Sequence, residues 1–197
     1  FSDDLLEAAL RIVLNAYSLA SPHQAEYDYT VATTGRQHIL EGLGALRLMT
    51  VIYICYPYDD AALDPVYAEH WYTFQSGGSP AVYFTGVVVP QAGEHMLVRY
   101  AAAHTIDGLD GASQTTIRVD HEDDLSTGAA GQALLLRAAG LPEAFGSREA
   151  ALEQMQKMGT ILLEGFYKRI GEMRMAAVRS QGPFPGIAWK LDAWDTV

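Results

Sequence analysis

Cysteine is nearly absent: Cys55 is the single cysteine among 197 residues, so the chain cannot form an internal disulfide. That scarcity is typical of a reducing compartment. No run of eighteen apolar residues occurs, and residue 1 is not followed by the basic start and apolar core of a signal peptide. We therefore expect a cytoplasmic protein that does not insert into a membrane.

Positive charge is also scarce. Thirteen Lys and Arg residues oppose 24 Asp and Glu residues, which gives a net charge of −11. So acidic a surface repels phosphate backbones, and this argues against nucleic acid as a partner. Six of the basic residues lie on or just after a C-terminal helix: Arg148, Lys157, Lys168, Arg169, Arg174 and Arg179. We interpret them as a solvated helix face, with a dedicated acidic partner as the alternative.

Motifs for metal, phosphate or covalent chemistry are missing. The six histidines (His23, His38, His70, His95, His104 and His121) form neither an HxH nor an HExxH pair, and GxGxxG, P-loop and GxSxG sequences are absent. His121 follows Asp120, but neighbours on a strand point to opposite faces and do not pair readily. The sequence thus indicates no metal and no cofactor, and these motifs leave the catalytic residues, if there are any, unknown.

What the chain does have is apolar material, 49% of its residues, enough for a single domain spanning residues 1–197. Apolar positions in residues 3–20 recur at helical spacing and stop at Ser21-Pro22, which predicts an N-terminal helix. A long helix beginning near Ser147 carries a stripe at steps of three and four: Leu152, Met155, Gly159, Leu162, Phe166, Ile170, Met173 and Ala177.

Between these helices the pattern is mainly that of strands. Alternation and β-branched residues predict them at 27–33, 48–56, 70–75, 81–89, 94–104 and 113–121. Residues 36–47 fit a short helix or strands, and we favour strands. The last three strands follow at hairpin spacing, which predicts a meander, and residues 134–139 suggest a short helix. The fold class expected is α+β: a curved antiparallel sheet packed on a long C-terminal helix, with an N-terminal helix.

The order of strands, glycine-containing loop and long helix resembles the helix-grip fold of START-like and Bet v 1-like proteins, which include polyketide cyclases. The resemblance covers residues 81–179 and lies in FTGVV at 84–88, MLVRY at 96–100 and QTTIRVD at 114–120. It implies a cavity between sheet and helix that is suited to an apolar small molecule.

Strand parity and the helix stripe suggest which side chains line such a cavity. Polar groups on an apolar wall orient ligands. We expect the ligand-binding set to be Tyr53, Cys55, Tyr83, Arg99, Leu162 and Phe166. If the protein is an enzyme, Tyr53, Tyr83 or Arg99 would place a polar group. The alternative for each tyrosine is a hydrogen bond to backbone or solvent, and for Cys55 the role of a small hydrophobic residue.

Three functions remain open on the sequence. The first is an apolar-ligand-binding or cyclase-type protein. The second is a structural or assembly module, acting through a homo-oligomeric or partner interface that the aromatic residues and the Pro/Trp-rich residues 181–197 would suit. The third is a cone-shaped α+β barrel of the SnoaL type, which fits the N-terminal half but not the long C-terminal helix.

Overall fold

The computed structural model describes residues 1–44, 46–61, 65–140 and 149–180. Their helices and strands run in the order α1 (Asp3–Ala20), β1 (His23–Thr30), β2 (Gln37–Ile39), β3 (Leu48–Cys55), β4 (Trp71–Ser76), β5 (Ser79–Phe84), β6 (His95–Ala102), α2 (Glu122–Ala139) and α3 (Glu149–Ser180). Short 3-10 turns occur between them, one at Val119–His121.

The strands form two antiparallel sheets of three strands each. Sheet A has the order β1-β6-β3 and sheet B the order β2-β5-β4. One hydrophobic core joins them: Ile54 and Val98 of sheet A and Val82 and Phe84 of sheet B belong to a single buried cluster. Alternate residues of β6, from Met96 onward, point into this core, as expected of strands with one buried face.

The three helices form a second core. Val13 and Tyr17 of α1, Leu125 of α2, and Phe166 and Ile170 of α3 pack together there. Most of the contacts of α3 are with α2, and α2 also packs extensively on α1. The apolar stripe predicted on the C-terminal helix is therefore buried mainly against other helices.

The main outline expected from the sequence is confirmed. The protein is α+β, with an N-terminal helix, antiparallel sheets and a long C-terminal helix. The N-terminal helix ends at Ala20, before Ser21-Pro22, and the most apolar predicted strand is β3. Of the ambiguous residues 36–47, three form β2 and a 3-10 turn follows at Glu41–Leu43.

The predicted meander and the strand at residues 113–121 are wrong. β6 is the central strand of sheet A, paired on its two edges with β1 and β3, so neither edge was free for another strand. The preceding strand, β5, lies in sheet B. A backbone hydrogen bond from the Thr116 amide to the Thr105 carbonyl holds the segment, together with side chains: the Thr105 hydroxyl donates to the Gln114 carbonyl, and the Asp107 amide donates to the Thr115 hydroxyl.

The short helix predicted at residues 134–139 is the end of a much longer one. α2 begins at Glu122, and the carboxylates of Glu122, Asp123 and Asp124 occupy its first turn. Acidic residues there interact favourably with the helix dipole. Gly128 and Gly131 lie in its middle and lower its apparent helix propensity. This helix occupies the position against α3 that we had expected a sheet to take.

Two expectations concern other aspects of the chain. None of the helices that the structure describes is both long and apolar enough to cross a membrane. The interface predicted for residues 181–197 lies outside the described residues.

Candidate interaction surface

Two of the predicted ligand residues meet on the outer face of sheet A. Arg99 of β6 pairs in register with Glu26 of β1 and Tyr53 of β3. The Arg99 guanidinium lies 3.3 Å from a Glu26 carboxylate oxygen, 3.4 Å from the Tyr53 hydroxyl, and 5.7 Å from that tyrosine's ring centre. Burial raises the pKa of Tyr53, and the hydrogen bond to Tyr53 raises the pKa of Arg99. Both groups thus keep their protons and form a cross-strand polar cluster.

Cys55 lies two residues beyond Tyr53, at the end of β3, and is buried. Burial raises the pKa of its thiol, and the nearby Glu26 carboxylate raises it further. A thiol needs a lowered pKa to react as the thiolate. Cys55 therefore behaves as a small hydrophobic residue.

The structure places Tyr83 elsewhere. It lies on β5 in sheet B, and its ring stacks on that of Tyr72 in β4, with ring centres 5.4 Å apart. Tyr53 and Cys55 belong to sheet A. Tyr53, Cys55 and Tyr83 were expected to line one cavity, but the structure places them in two different sheets.

Leu162 and Phe166 lie in a third place, at the contact between α3 and α2. Phe166 is fully buried. A Cβ added at Gly128 would lie 2.8 Å from the Phe166 ring, and one added at Gly131 would lie 2.9 Å from the Gly159 carbonyl oxygen and 2.9 Å from Leu162 Cβ. The two helices thus approach until backbone meets backbone, and no ligand fits between them there.

A polar network joins the helical core to sheet A, and sequence reasoning did not detect it. The Tyr17 hydroxyl lies 2.6 Å from His121 Nδ1, and the Nε2 of buried His104 lies 2.8 Å from the Ser21 carbonyl oxygen. His104 Nδ1 faces Thr116, and the pKa of His104 is lowered by burial. Because the predicted strand is absent here, strand parity gave no signal for these contacts.

This network has the polar groups of a proton relay, since His121 Nε2 lies 3.7 Å from Asp120 Oδ2. Tyr17, however, is fully buried, so a substrate has no access to its hydroxyl. We interpret the network as satisfying buried polar groups, as interiors require. Within the described ranges, no group of three His, Cys, Asp or Glu residues is placed to hold a metal ion.

An apolar groove opens on the surface beside the sheet core. It measures about 340 Å³ and has Tyr56 and Phe84 among its walls. Four well-exposed apolar side chains line the same groove: Val66, Tyr67, Val87 and Val88. Val87 is 97% exposed. Exposed apolar residues are ordinary when scattered, but a cluster around one groove marks an interaction site.

The outward face of α3 is a second apolar surface. Met158 is 55% exposed and Ile161 is 58% exposed. A Cβ added at Gly165 would meet no atom within 4 Å. Steps of three and four place these residues along one face, away from the side where Phe166 and Ile170 are buried.

Comparisons with known proteins identify no family. Neither a protein family nor a curated protein matches the chain. Among solved structures it is similar to chains of three gene transfer agent (GTA) structures. For "Neck of empty GTA particle computed with C6 symmetry", identity is 15%, with 80% of this chain and 79% of that chain covered and a TM-score of 0.32.

The other two similarities are of the same order. For "Neck of native GTA particle computed with C12 symmetry", identity is 20%, coverage is 78% of this chain and 82% of that chain, and the TM-score is 0.32. For "Virion of native gene transfer agent (GTA) particle", identity is 17%, coverage is 79% of this chain and 78% of that chain, and the TM-score is 0.32. Such overlap is too low to assign a function, which has to be inferred from the chain's own surface.

Proposed function

We propose that this protein is a non-enzymatic structural module that assembles with further copies of itself. The observation that carries the proposal is the cluster of exposed apolar side chains (Val66, Tyr67, Val87 and Val88) that line the groove beside the sheet core. Burying such side chains against another protein removes apolar area from water, which is the main driving force for association.

The interior offers less support for a small-molecule carrier. The space where a ligand was expected, beneath α3, is filled by α2, with glycine backbones in direct contact. The predicted ligand residues lie at three separate places, and Cys55 has a raised thiol pKa. An apolar small molecule retained through purification and seen by native mass spectrometry would overturn the proposal.

Self-association can be tested at the groove. Val87→Asp removes an apolar side chain worth about 1.5–3 kcal/mol when buried and places a charge there, so we expect the dissociation constant to rise at least about tenfold. Val119→Asp is the matched control, because Val119 is 82% exposed but does not line the groove. Light scattering across a concentration series measures the change, with circular dichroism to check folding.

Two results would contradict the proposal. One is a wild-type chain that stays monomeric at every concentration. The other is an equal loss of association in the Val87→Asp and Val119→Asp variants, which would assign the effect to added negative charge.

A further inference from the structure

We propose that α3 pairs antiparallel with α3 of a second copy, along the face that carries Met158, Ile161 and Gly165. This inference rests on the proposed function and names one of its contacts. Met158 and Ile161 are each more than half exposed, although they lie in the middle of a 32-residue helix. Gly165 leaves open space beside them, which lets another helix approach closely.

The charges beside this face indicate that the partner is a second α3 and that the two helices run antiparallel. One flank of this face carries Glu153, Lys157, Glu164 and Lys168, at steps of four, seven and four, so the four lie along one side of the helix. All four are exposed. Within the described part of the chain, none of them takes part in a salt bridge.

The sequence of signs along this flank is self-complementary in one orientation. When a second α3 runs antiparallel, with the twofold axis between residues 160 and 161, Glu153 lies opposite Lys168 and Lys157 lies opposite Glu164 of the other copy. The twofold symmetry repeats each pair, so four opposite-charge pairs flank the apolar residues. In a parallel twofold pair, this flank would lie on opposite sides of the contact in the two copies, so its charges would not face one another and would form none of these pairs.

A simpler explanation exists for the same residues. Glu153 with Lys157, and Glu164 with Lys168, are also spaced to stabilise a single helix through i,i+4 pairs. Under that explanation the flank is a solvated surface, as we interpreted it from the sequence. The two explanations differ in one consequence. Only pairing between copies allows a charge reversal in one chain to be compensated by the opposite charge reversal in another chain.

The experiment uses two single charge reversals in the full chain. In Lys157→Glu, residues 157 and 164 are both acidic, and in Glu164→Lys both are basic, so each variant repels itself at this contact. In a mixture, each acidic position of the first variant meets a basic position of the second. We expect each variant alone to associate at least tenfold more weakly than wild type, and an equimolar mixture to recover association.

Light scattering gives the masses, and an affinity tag on one variant shows by co-purification that the recovered species contains both chains. Asp107→Lys is the control, since it reverses a charge on an exposed loop outside α3, and we expect it to leave association unchanged. A mixture that associates no better than its components overturns the antiparallel pairing.

The remaining outcomes separate this inference from the proposed function. If both α3 variants associate like wild type while Val87→Asp does not, assembly stands and the α3 contact is refuted. If the wild-type chain is monomeric throughout, both are refuted. Recovery in the mixture, seen only for the two α3 variants, supports both.

Discussion

The contact between α2 and α3 predicts that Gly131→Ala destabilises the protein. A methyl group at position 131 would lie 2.9 Å from the Gly159 carbonyl oxygen, 2.9 Å from Leu162 Cβ and 3.1 Å from the Leu163 backbone nitrogen. None of these atoms is the end of a flexible side chain, so the helices must move apart. Overpacking of this kind costs about 1–3 kcal/mol.

Alanine also favours the helix by about 1 kcal/mol relative to glycine, which offsets part of that cost. Gly131→Ala should therefore lower the free energy of unfolding by about 0–2 kcal/mol. Gly171→Ala is the matched control: a Cβ there meets nothing within 4 Å, so only the propensity gain of about 1 kcal/mol remains. The two variants should differ by about 1–3 kcal/mol, with the open position the more stable.

Urea unfolding measures this difference as a shift in midpoint at an unchanged m-value. A changed m-value would mean that the substitution altered the compactness of one state rather than the helix contact. If both glycine variants are stabilised to the same extent, α2 and α3 do not approach at Gly131, and a space between the helices becomes possible again.

Two further predictions concern buried groups. Burial lowers the pKa of His104, so the unfolded chain takes up a proton at higher pH than the folded one. Stability should be greatest above the ordinary histidine pKa of about 6.5 and fall as the pH decreases toward the lowered value. Urea unfolding at several pH values measures this slope, and a His104→Asn variant with an undiminished slope would contradict the assignment. Cys55, buried with a raised thiol pKa, should react with a thiol reagent at least about tenfold more slowly in the native protein than in urea. Equal rates would show that the end of β3 is open.

Parts of the fold were predictable because one local pattern decided them. In α1, Val13, Leu14 and Tyr17 share the face that is buried, as their spacing indicated. The β-branched and aromatic run of β3 predicted its strand in the same way. Neither pattern specifies which element lies against it. It was therefore harder to predict which elements pack together than to predict that each helix or strand exists.

α2 shows why other parts were not predictable. Its glycines lower the intrinsic helix propensity, but Gly131 is also what allows close contact with Gly159 of α3. The local penalty is outweighed by packing that only the folded chain provides. The acidic residues of its first turn were a usable signal, because acids are favourable at a helix N-terminus.

The candidate site divides in the same way. Strand alternation was enough to select Tyr53 and Arg99 as candidate ligand-binding residues. Their contact with each other, however, depends on the register of β3 on β6. The exposed groove residues Val66 and Val87 come from separate loops, and no periodicity joins them. Sequence patterns identify faces within one element, whereas a surface built from several elements requires the fold.

By itself, the sequence determined the acidic net charge, the single cysteine in an apolar strand, and two amphipathic helices, one before the strands and one after them along the chain. These depend on composition and on spacing within one segment. Only the tertiary structure decided that α3 packs mainly on α2, that β6 is central and that β5 belongs to another sheet. The physical reason is that burial is non-directional: an apolar stripe requires an apolar partner, and which partner it meets depends on the rest of the chain.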